Sequence, residues 1–340
     1  MLRDDDTFVS GRGVALNPIA NRLSRGTTLN SDGAEHDQRR KLLAHRMLPR
    51  ALRAIGDVVD EQAAQVVDAA LDRREVDGVA DLASALPLAV VPDFVGWPRD
   101  HRDHLLAWGA ATFDILGPLN RNWVKALTSS MQMLRFARRI VRHRSVIEGS
   151  LGHDVLVAAD NGKLPYRECP PLMVDYLGPS LDTTISAIST ALHLFATFPE
   201  QWNILKHNPT LISNAVNEVV RYESPLRAFS RRTGRETQIA GTTIPVGSRA
   251  LVIYASANRD ENEWDQPDTF DIRRDATRQL GFGHGAHACA GQALARMETE
   301  AMLRALVERV DRIELTSPPT WAINNIIRRH EHLPLKLVAA

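Results

Sequence analysis

Apolar and polar residues alternate with helical spacing over most of the chain. The pattern runs from about Glu35 to Arg73, again from Val79 to Val95, and from Trp123 to Val146. In each stretch the alanine, leucine and valine side chains share one face of a helix. The prolines that punctuate these stretches are Pro92, Pro98, Pro118, Pro165, Pro170 and Pro171. The pattern therefore predicts a chain made mainly of helices.

Short apolar segments typical of strands come late in the chain. Between Thr237 and Tyr254 they are separated by Gly241 and by the Pro245-Val-Gly247 turn, and further segments follow Asp311. This distribution predicts a mainly α fold with small β-sheets. No internal repeat or low-complexity linker divides the chain, so we expect a single domain over residues 1–340.

Composition narrows the class of protein. The chain has 340 residues, of which 44% are hydrophobic and 24% charged, as in globular proteins with a large core. Forty-one basic residues balance forty-one acidic ones, so no overall field favours nucleic acid or an anionic membrane. Cys169 and Cys289 are the only cysteines, which gives no disulfide framework and suits a reducing cytoplasm.

The sequence also shows no obvious membrane signal. No apolar run approaches the roughly 20 residues that span a bilayer. The start of the chain is acidic, unlike a signal peptide. We therefore expect a soluble, cytoplasmic protein that binds neither a membrane nor nucleic acid.

A glycine-rich loop carries the most informative chemistry. Residues 282–291 read Phe-Gly-His-Gly-Ala-His-Ala-Cys-Ala-Gly, and a helical run begins at Gln292. Free N–H groups and the positive end of the helix dipole favour a thiolate at Cys289, which is a good ligand for iron. The alternative is an inert buried cysteine, but such a residue needs neither flanking glycines nor a histidine two positions earlier.

This loop resembles the haem-binding loop of the cytochrome P-450 family, the haem-thiolate monooxygenases. The residues that match at the family's spacing are Phe282, Gly283, Gly285, His287, Cys289 and Gly291. The resemblance implies a haem b cofactor with Cys289 as the proximal thiolate ligand and Phe282, Gly283, His287 and Gly291 around it. It also implies the cytochrome P-450 fold, N-terminally shortened, because a helix and a small sheet of the family have no counterpart before Phe8.

Glu218 and Arg221 form a second pattern. Their spacing places them side by side on one helix face, where an exposed pair contributes only about 0.3–0.5 kcal/mol. Alone, the pair could belong to any solvated surface. Ahead of the cysteine loop it resembles the family's Glu-x-x-Arg motif. That resemblance implies a structural role, in which the pair holds the segment near Asp265 to Arg273 and so fixes the position of the cysteine.

Haem carboxylates need cationic or hydrogen-bonding partners when they are buried. The resemblance places four such partners around the cofactor: His36, Arg40, Arg231 and His287. His36 and Arg40 come from a segment similar to the start of the family's third helix, and alignment favours Arg231 over the adjacent Arg232. Each of them alone could be an ordinary surface residue.

Oxygen chemistry requires proton delivery on the other side of the haem. The segment from Tyr176 to Ser189 resembles the family's central oxygen-binding helix, and Asp182 and Thr183 match its catalytic acid and alcohol. The alternative is that Asp182 caps a turn and Thr183 merely fills a helix. The chain departs from the family at Pro179-Ser180, where the family usually has Ala-Gly or Gly-Gly.

Electrons for such an enzyme must come from another protein. The chain has no glycine fingerprint for flavin or nicotinamide and no cysteine cluster for iron–sulfur centres. The resemblance implies a ferredoxin-type donor and its reductase. Basic residues that could dock an acidic ferredoxin outnumber the single acid Asp37 from His36 to Arg53, although a solvated helix would look the same; they are Arg39, Arg40, Lys41, Arg46, Arg50 and Arg53.

The leading hypothesis is a monooxygenase. It would insert one atom of O₂ into an aromatic or other small apolar substrate by hydroxylation or O-demethylation. A second reading is a non-catalytic haem-binding protein or truncated remnant. A third is a peroxide-driven peroxygenase, for which the acid and alcohol at Asp182 and Thr183 are unusual.

Overall fold

A computed structural model describes residues 1–100 and 102–340 of the chain, and helices dominate it. The α-helices are Pro18–Leu23 (α1), Gly33–Ala44 (α2), Pro49–Leu71 (α3), Ala85–Val95 (α4), Leu105–Leu116 (α5), Arg121–His143 (α6), Leu151–Asp160 (α7), Cys169–Thr197 (α8), Pro199–His207 (α9), Ile212–Tyr222 (α10), Tyr254–Ala257 (α11) and Gln292–Arg309 (α12). A π-helical segment, Gly78–Ala83, leads into α4.

The strands are short and pair in small antiparallel sheets. They are Phe8–Val9 (β1), Val76–Asp77 (β2), Ala228–Thr233 (β3), Thr237–Ile239 (β4), Thr242–Ile244 (β5), Arg249–Ile253 (β6), Val310–Leu315 (β7), Thr320–Trp321 (β8), His330–His332 (β9) and Pro334–Ala339 (β10). Two sheets have three strands, in the orders β1-β3-β6 and β2-β10-β7, and β4-β5 and β8-β9 form hairpins. The predicted fold class, mainly α with small β-sheets, is confirmed.

Helix α8 is the centre of the molecule. It is 29 residues long and buried along most of its length. Helices α4, α5, α6, α7, α10 and α12 all pack against it. A helix surrounded in this way can be apolar on nearly every face, which explains why its sequence lacks a clear polar stripe. Side chains on α8 are therefore held rigidly in the middle of the fold.

Several prolines act differently from the prediction. The stretch from Glu35 to Arg73 is two helices, because Leu48 is extended and Pro49 begins α3. Pro170 and Pro171 do not separate helices but lie in the first turn of α8. A first turn needs no N–H from these residues, so proline is well tolerated there. Pro92 likewise lies inside α4.

The late strands were better predicted than the early ones. Strands β4, β5 and β6 fall between Thr237 and Tyr254, and the turns use Gly241 and Gly247 with φ of 78° and 80°. Strands β1 and β2 have only two residues each. Partners far away in the chain define both of them, since β1 pairs with β3 and β2 pairs with β10. Local sequence carries no signal for such pairing.

One segment qualifies the prediction about membranes. Among the residues that the structure describes, Gly78–Val95 is a helical stretch long and apolar enough to cross a bilayer. Of this stretch, 56% is buried inside the fold, and both its π-helical part and α4 pack against α8. Core helices of this kind meet the same criterion as membrane spans.

Candidate active site

The loop around Cys289 is a compact turn ahead of α12. The Cys289 N–H donates to the Phe282 carbonyl at 2.7 Å, and the Gly283 N–H donates to Leu280 at 2.8 Å. Gly283 and Gly285 have φ of 70° and 74°, a conformation that favours glycine. The sequence folds this way because the two glycines permit the turn that brings Cys289 to the helix entrance.

The first residues of the chain cover this loop. Arg3 Nε donates to His284 Nε2 at 3.0 Å. A Cβ added to Gly285 would lie 2.0 Å from the Leu2 carbonyl oxygen. Gly285 therefore has a second requirement besides its φ, because the backbone of residues 2–3 lies directly against it.

The Cys289 thiol faces an internal cavity. Its side chain is accessible although protein surrounds it, because the space beside it is the cavity. Burial raises the pKa of the thiol, and the N–H groups of Gly291 and Gln292 and the charge of Arg40 only partly oppose that rise. The N–H groups at the helix entrance thus favour the thiolate, as the sequence predicts, but do not by themselves offset burial. A bound metal ion would reverse this balance, since it deprotonates a coordinating thiol.

The cavity lies between the cysteine loop and α8. It encloses about 1540 Å³, with its open mouth included. All eight residues predicted to surround the cofactor line it: His36, Arg40, Arg231, Phe282, Gly283, His287, Cys289 and Gly291. The fold thus brings together side chains from α2, β3 and the loop before α12 around one space.

The four residues predicted to bind the haem carboxylates differ in how many of their donor groups are already hydrogen-bonded within the protein. The His36 and His287 rings lie 4.2 Å apart, and His36 Nε2 is buried with no hydrogen-bond partner. Arg40 donates from Nη1 to Ala288 at 2.7 Å, and Arg231 donates from Nη1 to Ser230 at 2.8 Å. A buried orphan nitrogen is costly unless a ligand meets it. An anionic group in the cavity would satisfy His36 and the remaining guanidinium N–H groups, so the residues present fit a haem.

Two supporting residues were not predicted. Asp32, just before α2, accepts from the N–H groups of Ser10 and Gly11 at 2.8 and 2.7 Å and lies 3.5 Å from His287 Nε2. Tyr254 lines the cavity, and burial raises its pKa while Arg231 opposes the rise. Neither had a sequence signal, because both act on residues that are distant in the chain.

The α8 wall of the cavity is rich in hydroxyl groups. Thr183 Oγ1 donates to the Pro179 carbonyl at 2.7 Å, Ser180 Oγ to Tyr176 at 2.7 Å, and Thr184 Oγ1 to Ser180 at 2.9 Å. The helix continues through Pro179. Hydroxyls bonded to the carbonyl four residues earlier loosen a helix locally. Here they accompany the proline in the place where the family has small residues.

Asp182 lies behind this wall, beyond the cavity surface. Its side chain is buried, with Oδ1 2.7 Å from Arg329 Nε and Oδ2 without a partner. Burial raises the pKa of Asp182 to about 6, and Arg329 opposes the rise while Asp114 adds to it. Thr183 thus faces the cavity, and its neighbour Asp182 faces the partly exposed Arg329.

Glu218 and Arg221 form a fully buried ion pair. Arg221 Nε and Nη2 donate to the two carboxylate oxygens of Glu218 at 2.7 and 2.8 Å. The remaining donors of Arg221 reach the carbonyls of Pro267 at 2.9 Å and Thr269 at 3.1 Å, and Glu218 accepts from the Asp271 N–H at 3.1 Å. The pair therefore contacts the segment that the sequence assigned to it.

Glu298 is a further cavity residue that sequence reasoning missed. It is fully buried on α12, both carboxylate oxygens lack partners, and burial alone raises its pKa to about 8. Helical spacing from Gly291 through Leu294 and Ala295 places Glu298 on the face of α12 that lines the cavity. That spacing was the available signal.

The basic run after His36 is only partly exposed. Arg39 is buried and pairs with Glu168 at 2.9 Å, and Arg46 pairs with Asp154 at 2.6 Å. Arg40 faces the cavity. The cations of the run that are left exposed are Lys41, Arg50 and Arg53. The surface available to an acidic partner is thus smaller than the sequence indicated.

Comparison with known proteins identifies the family. The family model described as Cytochrome P450 matches residues 201–328. Cytochrome p450 CYP199A2 of Rhodopseudomonas palustris is 34% identical over 344 residues, covering 100% of this chain and 84% of that protein. The β-dihydromenaquinone-9 ω-hydroxylase of Mycobacterium tuberculosis is 31% identical, covering 96% of this chain and 67% of that protein.

A solved structure agrees with these relatives. The Mycobacterium marinum cytochrome P450 CYP268A2, in complex with pseudoionone, superimposes with a TM-score of 0.90 at 27% identity, covering 98% of this chain and 83% of that one. The chain belongs to the cytochrome P450 family and is a monooxygenase of that family. Family membership implies a haem held by a cysteine thiolate.

Proposed function

We propose that the chain uses Cys289 as the thiolate ligand of haem b and inserts one atom of O₂ into a small apolar substrate. The observation that carries this proposal is the convergence of eight predicted cofactor residues on one cavity with Thr183 on its opposite wall. The thiolate supplies electron density that favours cleavage of the O–O bond when haem is bound.

The chain's own residues would hold the cofactor and seal its site. His36, Arg40, Arg231 and His287 supply donors for the propionates, while Phe282 and the loop glycines allow close approach to the macrocycle. The cavity walls are mostly apolar, with Leu43, Phe113 and Val216 among the lining residues. Such a lining excludes bulk water and suits an apolar substrate.

Thr183 and Asp182 would handle protons. Thr183 donates to the Pro179 carbonyl, so its oxygen can accept a hydrogen bond from a water in the cavity. The raised pKa of Asp182, about 6, makes this carboxyl able to release and recover a proton near neutral pH. Thr183 would therefore position water, and Asp182 would connect that water to protons from outside.

We infer that the substrate is an aromatic or other apolar small molecule that undergoes hydroxylation or O-demethylation. Relatives named for β-dihydromenaquinone-9 and in complex with pseudoionone are consistent with apolar substrates in general. A ferredoxin-type protein with its reductase would supply electrons in the cytoplasm.

The optical spectrum of the dithionite-reduced protein under carbon monoxide tests the haem ligand. We expect the red-shifted Soret band of a thiolate-ligated haem in the wild-type protein. Cys289→Ser should lose that band, because a neutral hydroxyl is a poor substitute for a thiolate. Cys169→Ser is the matched control and should keep it, since Cys169 is buried away from the cavity lining. A band that survives in Cys289→Ser would refute the ligand assignment.

Proton delivery is tested by coupling, the product formed per electron consumed. Thr183→Ala removes the hydroxyl that positions water, so we expect lower product yield and release of hydrogen peroxide, with a loss of about tenfold or more. Thr183→Ser should restore much of the yield. If coupling is the same in Thr183→Ala and the wild type, the role of Thr183 is wrong.

A further inference from the structure

We propose that Arg329 is a positioning residue for the carboxyl of Asp182, and that Asp114 is a second carboxyl whose charge opposes that of Arg329 at Asp182. The inference deepens the proposed function, on which it rests, because it concerns the route by which Asp182 obtains protons. It also explains why a carboxyl that lies outside the cavity wall is held in a defined place.

Arg329 is the direct partner of Asp182. Its Nε lies 2.7 Å from Asp182 Oδ1, and the two side chains are 21% and 3% exposed. A charge-assisted hydrogen bond at this distance fixes the orientation of a carboxylate. The guanidinium, which is the more exposed partner, therefore lies on the solvent side of Asp182.

Asp114 belongs to the same cluster from α5. Its Oδ1 accepts from the Asn325 N–H at 2.8 Å, and the Asn325 amide donates to the Asp114 carbonyl at 3.0 Å. Burial raises the pKa of Asp114, while the Asn325 N–H and Arg329 oppose the rise. Among the described residues, the charged groups that act on Asp182 are Arg329, which lowers its pKa, and Asp114, which raises it.

Contacts to two helices fix the segment that carries Arg329. Asn324 donates to the Ala110 carbonyl of α5 at 3.1 Å, and the neighbouring Arg328 pairs with Glu223 at 2.6 Å. Arg329 is thus placed by contacts to α5 on one side and to the end of α10 on the other. Two carboxyls and one cation are thus held by three parts of the fold, with Asp114 half-buried and Asp182 fully buried.

The arrangement predicts that replacing Arg329 and replacing Asp114 shift the pKa of Asp182 in opposite directions. Arg329→Gln removes the charge that favours the ionised form, so the pKa of Asp182 should rise by about one unit or more. Asp114→Asn removes a like charge, so the pKa of Asp182 should fall. A side chain that only packed against Asp182 would not shift the pKa in opposite directions in these two variants.

Infrared titration of the haem-loaded protein measures this directly. The protonated-carboxyl band of Asp182 is assigned by its loss in Asp182→Asn, and its pH midpoint is then followed in Arg329→Gln, Arg329→Lys and Asp114→Asn. We expect the midpoint to rise in Arg329→Gln, to stay near the wild-type value in Arg329→Lys, and to fall in Asp114→Asn. A midpoint that does not rise in Arg329→Gln, or does not fall in Asp114→Asn, overturns the proposal.

The controls separate folding and catalysis from the inference. The carbon monoxide spectrum reports whether each variant holds haem. If Arg329→Gln does not hold haem, the direction in which the Asp182 midpoint shifts in Asp114→Asn decides whether the proposal stands. Product yield per electron is measured across pH in the same variants. If the midpoints shift as expected while Thr183→Ala leaves coupling unchanged, the ion cluster stands and the proposed proton role fails.

Discussion

At the scale of single residues, burial controls the acid–base chemistry around the cavity. It is the largest cause of the raised pKa of Cys289, of Asp182, at about 6, and of Glu298, at about 8. Removing water disfavours the charged form of each group. Only Asp182 has a cation in direct contact, so it is the carboxyl most ready to exchange a proton near neutral pH.

Glu298 should make the stability of the fold depend on pH. The folded protein holds the Glu298 proton up to about pH 8, against an ordinary pKa of 4.5. Its contribution is therefore complete below the lower value and is lost as the pH rises through the higher one. Glu298→Gln cannot ionise, so it should remove this loss, which is several kcal/mol at most.

Urea unfolding at about pH 5 and about pH 8.5 measures the effect. The free energy of unfolding should fall less between the two pH values in Glu298→Gln than in the wild type. Glu300→Gln, on the same helix but with its side chain 24% exposed, is the control and should behave like the wild type. Equal slopes in Glu298→Gln and the wild type would mean that the carboxyl is solvated or paired.

At the scale of elements, the Glu218–Arg221 pair joins α10 to the segment before the cysteine loop. Removing one partner of a buried ion pair leaves an uncompensated charge, which costs about 3–5 kcal/mol. Arg221→Ala should therefore lower the free energy of unfolding by up to about that amount, because Arg274 Nε still lies 3.4 Å from Glu218 Oε1. Arg221→Lys should rescue little, because an ammonium cannot reproduce the two-pronged contact or reach the carbonyls beyond it.

The matched control is the exposed pair of Arg273 and Asp271, whose side chains are 62% and 28% exposed. Arg273→Ala should cost no more than about 1 kcal/mol. Chemical denaturation of the three variants, with haem content measured alongside, makes the comparison. Similar losses in Arg221→Ala and Arg273→Ala would contradict the structural importance of the buried pair.

Local patterns explain which parts were predictable. The turn before α12 and the spacing of Glu218 and Arg221 depend on residues close together in sequence, so glycine content and helical geometry predict them. The positions of Arg329, Tyr254 and Asp32 depend on segments far apart in the chain. No periodicity encodes such contacts, and the partner of Asp182 therefore became visible only in the folded molecule.

At the scale of the whole molecule, the distribution of exposed charge bears on the electron donor. Reversing Lys41, Arg50 and Arg53 to glutamate should raise the KM for a reduced [2Fe–2S] ferredoxin about tenfold, because it replaces attraction with repulsion. The same number of reversals at the exposed Arg135, Arg138 and Arg142 of α6 is the control. Initial rates at low and high salt measure both sets.

The two sets give distinguishable results. A higher KM for ferredoxin in the first set of reversals alone supports docking on α2 and α3, and the difference from the wild type should shrink as salt screens the charges. A higher KM in the α6 set alone would contradict that docking site. Wild-type rates in both variants would argue against an electrostatically guided ferredoxin.

The contact between residues 2–3 and the cysteine loop has a practical consequence for making the protein. The Leu2 carbonyl lies against Gly285, and Arg3 bonds to His284. A purification tag fused ahead of Met1 would therefore disturb the backbone segment that covers the cofactor loop. Ala340 is exposed; its N–H donates to the Arg309 carbonyl at 2.9 Å, and it does not line the cavity. A tag placed after Ala340 should therefore give a higher yield of haem-loaded protein than one placed at the other terminus.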